Sequence, residues 1–255
     1  MSETEEPIAF EIKKFGLEPL VDPPTTDSAI NLVQDIISTV PKEWKVSKAS
    51  NDAYSSTVYW KYIDGELWYL RTSVHDLSEN EELYDWFKKT LYEDHFNHMV
   101  NYYDVVKEVN FATTKGDWDG YNLSYSLPAP FADRAIATWL MTHTPEDADD
   151  ETFYVVATPA DIPLPSDAVT RGVYSFFHRV RKTEDNKIEW VMGQTSDMRG
   201  NLPRWVQNMS IPGILVSDVD DFMKWLQKNY GSSEEAEADV DVEDVSKPSE
   251  ADTEA

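Results

Sequence analysis

His95 and His98 stand three residues apart in a stretch of helical periodicity, a spacing that could present two imidazoles to one metal ion. Only Glu93 and Asp94 lie near enough in sequence to add ligands, and zinc generally takes three protein ligands even in catalytic sites. The pair is therefore expected on a surface or in helix packing, and neither a metal nor a cofactor is assigned. Carboxylate pairs suited to acid–base work are too common among 48 acidic residues for any one to stand out. The absence of cysteine excludes a disulfide framework and thiolate metal ligands. No Gly-rich phosphate loop, P-loop or nucleophile elbow occurs. What the chain does hold is a large aromatic stock, nine Trp and thirteen Tyr, able to build a packed core or to line a pocket. This inventory favours a binding protein over an enzyme.

The elements that must position these residues follow from periodicity and turn chemistry. Asp27 or Ser28 caps a helix whose Ile30, Val33, Ile36 and Ile37 form one stripe, with Pro41 as its stop. Runs 56–63 and 66–73 read as strands joined by Asp64-Gly65, the dipeptide that supplies the positive φ angles of a two-residue hairpin. Residues 79–102 have helical spacing through Leu83, Trp86, Phe87, Leu91 and Phe96. Strands then return, separated by Gly116-Asp117 and Asp119-Gly120, a Pro128/Pro130 loop, an acidic turn at 146–151 and a Pro159/Pro163/Pro165 loop. Near the end, Ile188, Trp190 and Met192 alternate with Glu189, Val191 and Gly193 as in a strand. Gly200 and Asn201 break that pattern, and a final helix spans about 202–230. Pro203 sits in its first turn, and a kink or a restart capped by Ser210 is expected near Pro212-Gly213. The order of elements predicts an α+β fold with helices segregated on an antiparallel sheet.

Residues 1–26 read as an irregular arm that Phe10, Phe15 and Leu20 could pin to the body, and 27–230 as one folded domain. Residues 231–255 are acidic with almost no large apolar groups, too few to offset the entropy of ordering, and are expected to be a disordered tail that aids solubility. The formal charge of −26 and the lack of a basic surface argue against nucleic acid and weaken docking on anionic lipid. The one basic run, 178–182, reads as a solvated strand end. An acidic start without an apolar h-region, and no run of membrane-spanning length, lead to the expectation of a soluble, cytoplasmic protein acting as a monomer.

Three separated segments carry a family resemblance. Residues 126–134, Ser-Leu-Pro-Ala-Pro-Phe-Ala-Asp-Arg, form a strand, a proline loop and an Asp-Arg step. Residues 169–173, Val-Thr-Arg-Gly-Val, begin a long strand, and 188–209 join the last strand to the closing helix. In this order they resemble the START (StAR-related lipid-transfer) family over about 105–230. Asn201-Leu202-Pro203-Arg204-Trp205 followed by Ser210-Ile211-Pro212-Gly213 is similar to fungal START-like proteins of unassigned function. The resemblance implies the helix-grip fold, a curved antiparallel sheet closed by a long C-terminal helix around one apolar ligand. It implies a noncatalytic lipid-binding or lipid-transfer protein for a phospholipid, sterol or isoprenoid, with transient membrane contact.

On the same grounds the pocket wall is expected to include Trp139 (with Ile136 and Met141), Trp190 and Met192 on strands, and Trp205, Met209 and Leu215 on the closing helix. Phe131 is expected at the tip of a gate loop, 127–132, working with a lid helix hinged at Pro212-Gly213. Arg134 and Arg171 have two readings: braces that hold the proline loop on the sheet, or contacts to a ligand headgroup. Ala135 stands where many members continue with Asp, and Leu140 where sterol-binding members carry Arg, which puts arginine-based sterol recognition in doubt. Two other readings stay open. One is a helix-grip enzyme resembling aromatase/cyclases, with pocket carboxylates or His178 as acid–base groups; the other is an interaction module whose pocket is filled by side chains.

Overall fold

The computed structural model describes residues 16–49, 54–78, 80–146, 151–165 and 170–231. The acidic tail beyond Gly231, the start of the arm with Phe10 and Phe15, and Val169 lie outside the described residues.

Helix α1 (Thr26–Glu43) buries Ile30, Val33, Ile36 and Val40, a stripe at helical spacing. Its cap is Thr25, two residues before the expected position, whose side chain accepts a hydrogen bond from Ser28 N at 3.3 Å. The helix ends two residues past Pro41. After a short edge strand β1 (Lys45–Ala49) comes the hairpin of β2 (Thr57–Ile63) and β3 (Glu66–Asp76). Asp64 and Gly65 take φ of 49° and 84°, the left-handed pair that a two-residue turn of this twist requires. The helical stretch expected over 79–102 is divided instead. It consists of α2 (Leu83–Phe87), a π-helical turn (Lys88–Glu93) and α3 (His95–Tyr102), with Asp94 at φ −147° between the last two.

Five longer strands and a short one follow: β4 (Val106–Lys115), β5 (Trp118–Tyr125), β6 (Arg134–His143), β7 (Thr152–Pro159), β8 (Thr170–Arg171) and β9 (Val173–Lys182). β10 (Lys187–Asp197) and α4 (Arg204–Tyr230) complete the fold. Among the described residues the strands form one open sheet in the order β1-β2-β3-β10-β9-β7-β6-β5-β4, antiparallel except where β8 pairs with β6. The last strand thus closes against the first hairpin, from Lys187 opposite Asp76 to Gln194 opposite Tyr69.

The sheet is covered on both faces, and strand alternation sorts its side chains between two cores. One core packs under α1 and holds Trp68, Leu70, Trp118, Trp139, Met141, Val156, Phe177 and Val191. The other packs under α2, α3 and α4 and holds Ile136, Leu140, Phe176, Val180, Ile188, Trp190 and Met192. Of the three β6 residues expected on one wall, Ile136 therefore faces away from Trp139 and Met141. Residues 136 and 139 differ by an odd number, and in a strand that means opposite faces.

The expected break in the closing helix is absent: α4 runs unbroken through Pro212. Proline has no N–H to give the carbonyl four residues earlier, that of Asn208. The Tyr69 hydroxyl, reaching from β3, donates to that carbonyl at 2.9 Å and supplies the missing hydrogen bond. Ser210 caps no restart, its hydroxyl donating back to Val206 O at 3.1 Å. Pro203 is the cap residue before the helix, in extended conformation, not a member of the first turn.

Candidate functional site

Between the sheet and α3–α4 lies a cavity of about 460 Å³. Its wall is graded from outside inward. Val105, Pro128, Ser210 and Ile214 are exposed and Leu127, Phe131, Leu202 and Val206 half-buried, so these mark the mouth. Leu91, His95, Met99, Phe176, His178, Trp190, Met192 and Phe222 are buried and form the blind end. Along β10 the alternate residues Ser196, Gln194, Met192 and Trp190 step inward from Met198 at the lip. At ~3.3 Å per strand residue, Met192 lies roughly 20 Å in from Met198. On α4 the same direction runs through Val206, Ser210, Ile214, Asp218 and Phe222, the i, i+4 face of one helix.

Both lips are tied down. Arg134, 1% exposed, donates to the carbonyls of Ala132 and Met198, to Asp133 O at 3.2 Å, to Arg199 O at 3.0 Å and to Asn201 Oδ1 at 3.2 Å. Asn201 in turn donates to Pro130 O at 3.0 Å. One guanidinium thereby joins the proline loop to the turn between β10 and α4. Gln207 pins the start of α4: its amide donates to Ser196 O and Oγ at 2.9 and 2.7 Å, and its carbonyl accepts from Met198 N at 3.0 Å.

The blind end holds a buried polar set. Trp190 Nε1 donates to His178 Nδ1 at 3.0 Å. An indole nitrogen only donates, so Nδ1 is the acceptor and the His178 proton resides on Nε2. The His95 ring lies 5.3 Å from that of His178, and burial pushes His95 down to about 4 and His178 well below its ordinary value, leaving both neutral. Arg71, 1% exposed, stacks on the Trp190 ring at 3.8 Å from its centroid and donates to Leu215 O at 3.4 Å. Its Nε and Nη2 have no hydrogen-bond acceptor among the described residues, and burial lowers it to about 10. Asp218 is half-buried and lines the cavity. Burial raises its carboxyl to about 7, opposed by the Tyr103 hydroxyl that donates to it and by the Arg71 charge.

Of the residues expected at the site, Phe131, Trp190 and Met192 line this cavity. Trp139 lies under α1 on the opposite face of the sheet, its Nε1 donating to Leu20 O at 2.9 Å. Leu215 is buried beside the cavity in the same core as Trp190, without lining it. Trp205 and Met209, 66% and 75% exposed, point outward from the first turns of α4 and cannot wall the interior. Arg171 braces the segment after β7 by donating to Ala160 O and Ile162 O at 3.2 and 2.8 Å, and like Arg134 it stays outside the cavity wall. His95 faces the cavity while the His98 ring packs on Trp225 at 5.5 Å, so the two imidazoles serve different surroundings. Arg71, Tyr103, Gln194 and Asp218 escaped the sequence reading. Parity along β9 and β10 could have found Gln194 and His178, which share a face with Phe176 and Trp190.

An open antiparallel sheet gripped by a long C-terminal helix is the START-like helix-grip arrangement, and solved structures agree. Human STARD10 superposes with a TM-score of 0.64 at 15% identity, covering 88% of each chain. Human StAR-related lipid transfer protein 5 gives 0.59 at 17% identity, covering 79% of this chain and 94% of the other. A STAR-related lipid transfer protein fragment from Xanthomonas axonopodis gives 0.54 at 12% identity, covering 73% of this chain and 99% of its own. By sequence the chain belongs to the family described as Protein of unknown function (DUF3074), matched over residues 68–226. No curated protein matches it in sequence.

Proposed function

We propose that this protein binds one apolar molecule in the cavity between sheet and α4 and carries it through water as a monomeric, noncatalytic lipid-binding or lipid-transfer protein of the cytoplasm. The observation that carries the reading is a 460 Å³ chamber with a mainly apolar wall whose greasy rim opens to the surface. Pockets of ~300–1,000 Å³ with a few placed polar groups are typical small-molecule sites. A buried methylene is worth ~0.8 kcal/mol, so a chain of about sixteen carbons crosses water unaided only against ~12 kcal/mol. Enclosing it removes most of that barrier. Phe131, Trp190 and Met192 touch the cargo, while Arg134 and Arg171 act from outside the cavity by fixing the loops around it. Leu127, Pro128 and Phe131, with the outward Trp205 and Met209 on α4, are the surfaces that meet a membrane.

Native mass spectrometry of gently purified protein tests this: a stoichiometric co-purified lipid is expected, and protein that leaves cells empty and takes up no lipid from vesicles would refute it. An enzymatic reading has one observation of its own, the Asp218 carboxyl raised to about 7 beside Tyr103 and open to the cavity. Recovery of a chemically altered ligand from the protein would favour that reading.

A further inference from the structure

The identity of the cargo is narrowed by three properties of the wall, granted the binding reading above. The first is volume. At about 460 Å³ the cavity lies in the lower half of the ~300–1,000 Å³ range of small-molecule sites. One long chain, or one fused-ring body whose carbons pack closer together, falls at this scale.

The second property is charge. Among the described residues that line the cavity there is no Lys or Arg, and Asp218 is the one carboxylate. An anionic headgroup drawn inside would find no cation on the wall, because Arg71 lies behind the Trp190 ring. A cationic headgroup would meet Asp218 but also the field of Arg71, already acting on that carboxyl. Burying an unpaired charge is far more costly than burying a hydroxyl that finds a partner.

The third is a directed donor at the blind end. His178 is 6% exposed and lines the blind end, with its Nδ1 occupied by Trp190. Its Nε2 makes no hydrogen bond to the described residues. Its neighbours are Phe176 on its own strand at 5.3 Å between ring centroids, Met192 opposite on β10, the Trp190 ring at 5.7 Å and, as the one other polar ring, His95 at 5.3 Å. A buried donor in such surroundings is satisfied by an oxygen that arrives with the guest.

We infer that the cargo is an uncharged amphiphile with a single apolar body, whose hydroxyl or carbonyl oxygen accepts a hydrogen bond from His178 Nε2 at the blind end of the cavity. Matched probes test it on the full chain: hexadecan-1-ol against hexadecane and cholesterol against 5α-cholestane, titrated by native mass spectrometry and intrinsic fluorescence. In at least one pair the alcohol is expected to bind about tenfold more tightly than its hydrocarbon, and His178→Phe is expected to erase the difference while leaving hydrocarbon binding in place. Palmitic acid, hexadecylamine and dipalmitoyl phosphatidylcholine are expected to compete poorly.

Should His178→Phe fail to fold by circular dichroism, the His178 imidazole ¹⁵N resonances of the wild-type protein answer instead. Nε2 shifts with the alcohol and not with the hydrocarbon. Equal binding within both pairs, discrimination that survives in His178→Phe, or a charged or two-chain lipid binding as well as the alcohols overturns the inference and leaves the carrier reading intact. Absence of binding by every lipid sinks both.

Discussion

Burial moves three groups around the cavity, and it moves their protonation in opposite senses. His95 and His178 are held below the ordinary histidine value of 6.5, whereas Asp218 is held above its ordinary 3.8, near 7. Between about pH 4 and 6.5 the unfolded chain binds a proton on each histidine that the folded protein refuses, and the folded protein keeps one on Asp218. The net excess is one proton on the unfolded side, so stability from these groups rises with pH by about 1.4 kcal/mol per unit. Above 6.5 only Asp218 still differs, and stability falls until pH passes about 7. Asp218→Asn removes the second effect. Its acid limb should steepen to roughly twice that slope and its decline above pH 6.5 should vanish. Urea unfolding of both proteins from pH 4.5 to 8 checks this, and parallel curves would show that Asp218 titrates in its ordinary range. None of this was legible beforehand: a lone Asp in a helix with Asp220 and Asp221 nearby looks like a solvated face. Only packing against α3 and β3 gives it a buried neighbour in Tyr103 and Arg71.

At the scale of elements, the sequence was most informative where local chemistry decides alone. Asp64-Gly65 demanded a hairpin, and Ile188, Trp190 and Met192 demanded one face of a strand; both are present at those residues. It misled where a tertiary partner overrides a local rule. Pro212 should interrupt a helix, yet Tyr69 replaces the lost donor from another element. The same compensation predicts a coupling: Tyr69→Phe should cost about 1–2 kcal/mol in chemical denaturation, but clearly less when Pro212→Ala restores a backbone donor to Asn208. Additive costs in the double variant would refute the compensation. A second element-scale prediction concerns β10, where a methyl group on Gly193 would stand 2.3 Å from Phe177 Cζ in the core under α1. Gly193→Ala should therefore destabilise by ~1–3 kcal/mol through overpacking, seen as a lowered Tm, while changing no cavity residue. The segment 79–102 was legible as helical but not as three pieces, because its breaks at Asp94 and in the π-helical turn carry no Gly or Pro.

At the scale of the molecule, the order of elements was sufficient to place a closing helix on an antiparallel sheet, since few arrangements bury both. It was not sufficient to say which face each aromatic takes. Trp139 and Trp190 look alike in sequence, yet they lie on opposite sides of the sheet because α1 provides a second apolar cover. The mouth is where function at this scale should be most sensitive. Phe131 is half-buried on the lip, clear of the Arg134 clamp that holds the loop around it. Phe131→Asp should slow lipid transfer between liposomes several-fold, with thermal stability changed by less than about 1 kcal/mol. Transfer at the wild-type rate would discard the lip as the contact with membrane.

The inward grading of the wall also fixes a direction of travel. On the seat inferred at His178, a guest slides in polar end leading and back out tail first. In a leaflet a lipid already holds its polar end toward water and its tail toward the interior. A protein pressed rim-down on that surface can draw the molecule straight up its own axis, with no somersault, and the tail passes from one oily setting to another without meeting bulk water.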